Sequence, residues 1–339
     1  MLSPEALEKL FLANKQNVGT RGERALAQLS LVLFVAMHLA CLFVFVVPFS
    51  LKLLGLAAIG YVLRMWAITA GYHRYFAHRS FKTSRAFQFV LAFLGTSAME
   101  NGPLWWASWH RRHHRSSDTV EDVHSPKQVG FWNAHVGWFL DGSHDHPDLS
   151  NVKDLARFPE LCFLERHKWF PIVLYAVACF AIGSWPGLVW GFVVSTIAVL
   201  HATALINSLA HVWGSRRFDT ADESRNNALL AILTLGEGWH NNHHDQMSAA
   251  RQGVRWWEID MTYYSLWVLA RLGIVWDIRG RKASTRLRSA LLSPAALVPA
   301  VLAPAVLVPA LLVITAPSVP GPAAPVPVSV SVSASASRA

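Results

Sequence analysis

The stretch Gly236-Glu-Gly-Trp-His-Asn-Asn-His-His244 carries three histidines in the pattern H-x-x-H-H. The same spacing occurs in His110-Arg-Arg-His-His114, and an earlier segment, His73–His78, has a histidine at each end. If the two H-x-x-H-H runs are helical, residues i, i+3 and i+4 fall within about 100° of arc. Three imidazoles would then share one helix face, which favours metal binding.

The composition indicates a membrane protein. Of the 339 residues, 53% are hydrophobic and only 15% are charged. The net charge of +9 comes largely from Arg near the ends of apolar runs and forms no dense basic stripe with interleaved aromatics. We therefore expect no nucleic-acid partner. The three cysteines are scattered and form no C-x-x-C pair, which indicates packing residues and not disulfides or metal ligands.

Four apolar runs are candidates for transmembrane helices, each of which needs about 20 residues. They are residues 29–47, 53–70, 170–185 and 188–209. The apolar run 87–98 is too short to cross a bilayer, so it predicts a helix that is buried in the protein or lies in the interface.

The distribution of Lys and Arg predicts the orientation of these spans. Basic residues are concentrated before the first run, within 79–169 and after 214, while the two short connections hold one Lys between them. The positive-inside rule then gives a multi-pass integral membrane protein with both termini in the cytoplasm, in the inner membrane if the source is bacterial. All three histidine clusters fall on the cytoplasmic side, where they can meet.

The chain divides into three parts by composition. Residues 1–28 form a polar, basic cytoplasmic arm, and residues 29–278 hold the apolar runs and the histidine clusters. Residues 279–339 form a tail rich in Pro, Ala and Val, with prolines recurring every five residues from Pro294 to Pro309. We assign no chemistry to the tail.

The clustered histidines predict a site for two metal ions. A single histidine in an apolar run, such as His38 or His201, is expected to be a core residue. The three clusters contribute eight imidazoles, which is more than one ion can bind. His211 lies four residues after Asn207 on one helical face and can add a ninth nitrogen. Imidazole ligands suit Zn, Fe, Cu and Ni, so the ligand set alone does not choose the metal.

Several segments resemble the membrane fatty acyl desaturases of the delta-9 (stearoyl) type, in particular their bacterial, cyanobacterial and plant members. The resemblance covers about residues 30–278. The matching segments are 71–78, 110–114, 118–124, 130–138, 207–211, 213–218, 224–227, 236–244 and 256–260. It implies an all-α integral membrane fold in which four transmembrane helices lie under a cytosolic helical cap that holds a His-rich dimetal site. Residues 29–278 would be the fatty acid desaturase domain.

The resemblance also implies the chemistry. The expected function is an O2-dependent diiron desaturase that introduces a cis double bond, at the delta-9 position, into a saturated fatty acyl chain carried on CoA or lipid. Two Fe ions (Fe2+/Fe3+) would be the cofactors and O2 the co-substrate, with no catalytic residue beyond the metal centre. The implied nitrogen ligands are His73, His78, His110, His113, His114, His211, His240, His243 and His244. Asn207 would hold a water on the iron with fewer histidines.

Substrate contacts are implied at five positions, which would line a bent acyl tunnel: Asn101, Trp105, Trp106, Thr203 and Trp239. One departure from the animal enzymes affects the carrier. An Arg-Asp pair precedes their second histidine box and touches CoA, whereas Ser108 and Trp109 stand there in this chain. The acyl carrier therefore stays open between CoA and membrane lipid.

The chain has no Cys pattern for an iron–sulfur cluster, no haem motif and no G-x-G-x-x-G segment. The reducing equivalents are therefore expected from a separate ferredoxin or b-type cytochrome.

Two other functions fit the same histidine spacing. The first is a diiron membrane hydroxylase or ketolase of alkyl or carotenoid substrates. The second is a His-rich zinc membrane protein without redox activity, because spacing alone does not identify the metal. The products made from a saturated acyl chain and the bound metal distinguish the three.

Overall fold

The structure is a computed structural model that describes residues 21–140, 142–284 and 287. Most of the predicted cytoplasmic arm and nearly all of the predicted tail lie outside the described residues.

The described residues are mostly helical. The α-helices are α1 (Arg21–Ala40), α2 (Leu51–Trp66), α3 (Arg85–Thr96), α4 (Pro103–Ser116), α5 (Pro126–Val129), α6 (Phe131–His135), α7 (Lys153–Ala156), α8 (Pro159–Arg166), α9 (Trp169–Gly187), α10 (Ser195–Asn207), α11 (Ala228–Leu233), α12 (His240–Asp245) and α13 (Met261–Arg271). The 3-10 helices are Cys41–Phe45, Gly137–Phe139, Leu149–Asn151 and Leu209–His211, and the π-helical runs are Ala67–Ala77 and Leu188–Val194. Two short strands, β1 (Lys82–Thr83) and β2 (Val275–Trp276), pair antiparallel, Lys82 with Trp276 and Thr83 with Val275.

Among the described residues, three helical runs are long and apolar enough to cross a membrane: Gln28–Phe45, Leu51–Ala77 and Trp169–His211. The third contains 43 residues and covers two of the four predicted runs. A straight helix of that length would measure about 65 Å, twice the thickness of a bilayer core. The run is not straight, because Gly183 and Ser184 have non-helical backbone angles. Beyond this kink the chain turns back, and Tyr175 Oη donates a hydrogen bond to Gly191 O at 2.8 Å.

The second run is longer than the sequence predicted because α2 continues without a break into the π-helical segment Ala67–Ala77. This segment is almost entirely buried and carries the first histidine pair. Short π-helical insertions are frequent at functional sites, where they change the direction of individual side chains.

Arg64 lies in the apolar part of α2, yet its side chain is fully buried between helices. It donates hydrogen bonds to Ser195 Oγ at 2.5 Å and Thr196 Oγ1 at 2.6 Å, and its guanidinium lies 4.3 Å from the ring centre of Tyr175. A charge in an apolar layer must find such partners within the protein. The contacts fix α2 against α9 and α10.

Helix α4, which carries the second histidine box, packs against α3 and α8. The run predicted at 87–98 is α3, whose Leu91 and Ala92 are buried in the core. Helix α4 begins at Pro103, a favoured first residue because its missing N–H needs no partner there. Glu165 of α8 accepts hydrogen bonds from the Leu104 and Trp105 backbone N–H groups at 2.9 and 3.0 Å. This carboxylate stabilises the start of α4.

Candidate metal centre

Four separate elements carry the clustered histidines. The π-helical run Ala67–Ala77 and the residue after it bear the first pair, and α4 bears the second box. The 3-10 helix Leu209–His211, which follows α10, ends in a buried histidine. The third box forms α12, a helix of six residues in which all three histidines are buried. Both H-x-x-H-H boxes are thus helical, which is the condition under which the sequence predicts three imidazoles on one helix face.

The nine histidines named from the sequence come together in two groups. In each group one ring nitrogen per residue lies within 4.8 Å of the others. The five-histidine cluster consists of His73, His78, His110, His114 and His243. The four-histidine cluster consists of His113, His211, His240 and His244.

The nitrogen–nitrogen distances have the values expected for ligands that surround a common point. In the five-histidine cluster, His110 Nε2 lies 2.9 Å from the Nε2 atoms of His78 and His114, and His243 Nε2 lies 3.0 Å from that of His73. Two nitrogens at about 2.1 Å from an ion and at right angles to each other are separated by about 3.0 Å. In the four-histidine cluster, His211 Nε2 lies 3.0 Å from His240 Nε2.

Each H-x-x-H-H box is divided between the two clusters, which differs from the expectation that all three imidazoles serve one face. His110 and His114, at i and i+4, belong to the five-histidine cluster, whereas His113 belongs to the other. The third box mirrors this division, with His243 alone in the five-histidine cluster. The reason is helical geometry: positions i and i+4 are about 40° apart, while i+3 and i+4 are about 100° apart.

Four carboxylates hold the ring nitrogens that point away from the clusters. His73 Nδ1 lies 2.6 Å from Glu237 Oε2, and His244 Nδ1 lies 2.7 Å from Asp222 Oδ2. His211 and His113 make the same contact with Asp118 and Asp122 at 2.9 and 3.0 Å. Such carboxylates fix the tautomer and orientation of metal-binding imidazoles. Reasoning from the sequence missed this role, although Asp118, Asp122 and Glu237 lie within segments singled out there.

The protonation states of these histidines and carboxylates favour the binding of a cation. Burial and the neighbouring imidazoles hold the pKa values of His110, His114, His240 and His243 well below the usual range, so these rings are neutral and able to donate a lone pair. Burial lowers the pKa of His244 to about 4. Burial alone would raise the pKa of Glu237, but His73 and Arg74 outweigh it and lower the pKa to about 2. The carboxylates are therefore ionised, and they offset positive charge placed between the rings.

One buried atom tests whether the residues fit a metal. Asp222 Oδ2 contacts Nδ1 of His244. Nε2 of the same His244 ring is buried and has no hydrogen-bond partner among the described residues. A buried polar nitrogen without a partner is costly, and a metal ion beside the three other imidazoles would satisfy it. The donor set fits a transition metal.

Two cavities adjoin the clusters. The larger has an empty volume of about 620 Å³ and the smaller about 400 Å³. Both are lined by Trp106, His110, Thr203 and Asn207, so they meet beside the five-histidine cluster.

The predicted substrate residues lie mostly along these cavities. Asn101 and Trp105 line the larger one, where His124, Trp138 and Phe139 are also found. The Trp106 ring stacks on His110 with centroids 4.7 Å apart, and its Nε1 donates to Glu100 Oε2 at 3.1 Å. Trp239 is not among the residues that line either cavity, and its Nε1 donates to Ile259 O at 2.8 Å.

The glycines of the third box permit a close backbone approach. A Cβ on Gly238 would lie 2.1 Å from Ala231 N and 2.5 Å from Asn227 O, and Gly238 O accepts a 2.8 Å hydrogen bond from Asn227 N. Gly236 has φ +129°, a conformation that L side chains rarely adopt. These two glycines allow α12 to pack against α11, which positions the histidines of α12 in the two clusters.

Comparisons with known proteins agree with this arrangement. The profile of the fatty acid desaturase family matches residues 48–276. The chain is 37% identical over 249 residues to the sn-1 stearoyl-lipid 9-desaturase of Anabaena variabilis, covering 73% of this chain and 91% of the relative.

Two plant relatives show similar agreement. Identity is 36% over 302 residues with delta-9 acyl-lipid desaturase 1 of Arabidopsis thaliana, covering 85% of this chain and 97% of the relative. It is 38% over 253 residues with the acyl-CoA C20 delta5-desaturase of Anemone leveillei, covering 73% and 80%. The family profile, these relatives and the paired histidine clusters together establish that the chain belongs to the fatty acid desaturase family and is an acyl desaturase, an oxidoreductase.

Proposed function

We propose that this protein is an O2-dependent diiron desaturase that introduces a cis double bond, at the delta-9 position, into a saturated fatty acyl chain carried on CoA or lipid. The observation that carries the proposal is the juxtaposition of two histidine clusters with two cavities that meet at His110. Two of the relatives described above are 9-desaturases, which supports the position of the double bond.

Nine imidazoles would hold the two metal ions, five on one and four on the other. Removing two hydrogen atoms from unactivated methylenes needs O2 and a redox metal, which iron supplies when bound and zinc does not. Asn207 lines both cavities, and it would hold a water on the ion with four histidines. Asp118, Asp122, Asp222 and Glu237 orient the rings, so the ligands need no reorganisation during turnover.

The cavity walls position the acyl chain. Trp106 and Thr203 stand where the two cavities meet, so a chain threaded through both would bend at these residues and present one pair of methylenes to the metal centre. The indole of Trp106 is fixed by stacking on His110 and by its hydrogen bond to Glu100. Fixing the reacting atoms in this way is the main contribution that a protein makes to such chemistry. Asn101, Trp105 and Trp239 complete the proposed set of substrate residues.

The proposed topology has four spans, with the third apolar run crossing twice around its kink at Gly183–Ser184. Both termini and the metal centre then lie on the cytoplasmic side. An external ferredoxin or b-type cytochrome delivers the electrons there.

Product analysis tests the function directly. The full chain is expressed in a host that is supplied with isotope-labelled stearic acid, and the labelled lipids are examined by gas chromatography and mass spectrometry. We expect labelled cis-9 monoene from the wild type and none from His110→Ala or His240→Ala at equal membrane abundance. Hydroxy acids without alkenes, or full activity in either variant, would contradict the proposal.

A further inference from the structure

Outside the metal clusters, three more histidines form a continuous hydrogen-bonded chain. His38 of α1 contacts His201 of α10 through their Nε2 atoms at 2.8 Å. His201 Nδ1 lies 3.0 Å from Nε2 of His135, the last residue of α6. The chain therefore joins the first apolar run to the segment that covers the larger cavity.

Both ends of this chain finish at a backbone carbonyl. His38 Nδ1 lies 2.6 Å from Phe34 O. At the other end, His135 Nδ1 lies 2.9 Å from Ser208 Oγ, which donates to Ala204 O at 2.9 Å. Carbonyl oxygens only accept hydrogen bonds, so a proton must point outward at each end.

Counting protons shows that a neutral chain cannot make all of these bonds. There are five contacts, from Phe34 O through the three imidazoles and Ser208 to Ala204 O, and each needs one proton. Three neutral imidazoles and one hydroxyl supply four protons. One contact would then place two acceptors against each other. The five bonds are complete only when one imidazole is an imidazolium.

The surroundings allow the extra proton to be released. The titratable groups near these histidines are Cys41, the first residue of the 3-10 helix that follows α1, and the cavity residues Glu100, His110 and His124. In the part of the chain that the structure describes, no carboxylate is hydrogen-bonded or ion-paired to any of the three rings. Burial lowers the pKa of His135 and so opposes the extra proton, whereas the five hydrogen bonds favour it. The proton is thus favoured by the hydrogen bonds and is not trapped by a counter-ion.

His135 brings the extra proton to the larger cavity, where the proposed reaction would consume it. His135 lines the larger cavity together with His110 and Asn207. From this geometry we infer that the His38–His201–His135–Ser208 chain holds one exchangeable proton and delivers it into the cavity during turnover. The use of the proton rests on the proposed function.

The reaction consumes protons in a fixed ratio. One acyl –CH2–CH2– unit, one O2, two electrons and two protons give –CH=CH– and two waters. O2 is the oxidant, and the external donor contributes the two electrons. The His38–His201–His135–Ser208 chain contributes one of the two protons and becomes neutral, with one contact unsatisfied. It regains a proton from water before the next turnover.

Histidine-selective 15N NMR tests the stored proton without relying on catalysis. The full chain is reconstituted in nanodiscs at pH 7.5, with Zn2+ in place of iron so that signals are not broadened. We expect an imidazole protonated on both nitrogens outside the metal centre. His201→Leu removes it, because only three contacts then remain and the three protons of two neutral imidazoles and Ser208 satisfy them.

Ser208→Ala is the sharper variant because it keeps all three histidines. Without the hydroxyl there are three contacts and three protons, so the neutral chain is fully bonded and the imidazolium signal disappears. His167→Asn, an exposed histidine elsewhere, keeps the signal. Absence of the signal in the wild type, or its persistence in Ser208→Ala, would overturn the inference.

The iron enzyme provides the second arm of the test. Ser208→Ala is expected to lower the rate of alkene formation by at least about 10-fold at pH 8 and less at pH 6, because loss of a positioned acid matters most where free protons are scarce. Equal rates of variant and wild type at both pH values would show that the stored proton is not used. A wild type that forms no alkene would refute the proposed function, while the NMR result would still decide whether the proton is held.

Discussion

At the scale of single residues, the decisive feature is that histidines and carboxylates occur in pairs. A carboxylate on Nδ1 leaves Nε2 as the atom that faces the cluster in His73, His113, His211 and His244. The histidines are evident in the sequence because their spacing is regular. The carboxylates come from distant positions, such as Asp222 for His244, and only the fold brings them together.

Replacing one of these carboxylates tests its role. Asp222→Asn removes the charge beside His244 while keeping the size of the side chain, and we expect metal affinity to fall about 10- to 100-fold. Metal content after dialysis against graded chelator measures this. The matched control is Glu160→Gln, which disrupts an ion pair with Arg85 away from the metal centre and leaves metal content unchanged. If Asp222→Asn retains metal as well as the wild type does, Asp222 does not orient His244 for metal binding.

Glu100 predicts a pH dependence of stability. Burial raises the pKa of this carboxyl from 4.5 to about 7. The folded protein therefore binds the proton more tightly than the unfolded chain, and this contribution to stability is lost as the pH rises through 7. Above that pH the buried carboxylate costs about 3 kcal/mol.

Glu100→Gln removes this penalty. We expect the variant to melt at a higher temperature than the wild type at pH 8 and to show no such gain at pH 5. Thermal unfolding of the reconstituted chain at the two pH values provides the comparison. Glu121→Gln, an exposed residue, should change neither value. A gain of equal size at both pH values would mean that titration of Glu100 is not the cause.

At the scale of elements, the spacing of the histidine boxes predicts a shared face if they are helical, but it does not predict how they share two sites. The spacing H-x-x-H-H places i and i+4 together and leaves i+3 to one side. Which cluster each residue joins depends on how α4 and α12 face each other. That contact is set by tertiary packing, which a single sequence does not reveal.

The packing of α12 against α11 is tested at Gly238. Gly238→Ala places a methyl group against the backbone of Ala231 and Asn227, so we expect it to destabilise the fold by about 1–3 kcal/mol and reduce bound metal. Gly55→Ala in α2 meets nothing within 4 Å and is the matched control, with stability unchanged or higher by up to about 1 kcal/mol. Normal metal content in Gly238→Ala would show that the close approach is dispensable.

At the scale of the whole molecule, hydropathy predicted where the three apolar helical runs begin to within two residues. The runs at 29–47 and 53–70 correspond to Gln28–Phe45 and Leu51–Ala77. The later pair appears as one helical run with a reversal at Gly183–Ser184. The extension of the second run to Ala77 was not predicted, because residues 71–77 are too polar to be assigned to a membrane by composition. They are buried in the protein instead.

The proposed topology has a direct test. Single cysteines are introduced into a variant that lacks the three native ones, and they are labelled from each side of sealed vesicles. We expect positions 49 and 184 to react on one side of the membrane and positions 120 and 280 on the other. Labelling of 184 from the same side as 120 would contradict the four-span arrangement.

The central claim is that nine histidines form two metal sites in one centre. Metal analysis of the purified full chain tests it most directly, with the double variant His240→Ala/His244→Ala for comparison. We expect two irons per wild-type chain and about one in the double variant, because the five-histidine cluster keeps all of its ligands. A single metal ion per wild-type chain, or zinc in place of iron in chain that forms alkene, would contradict it.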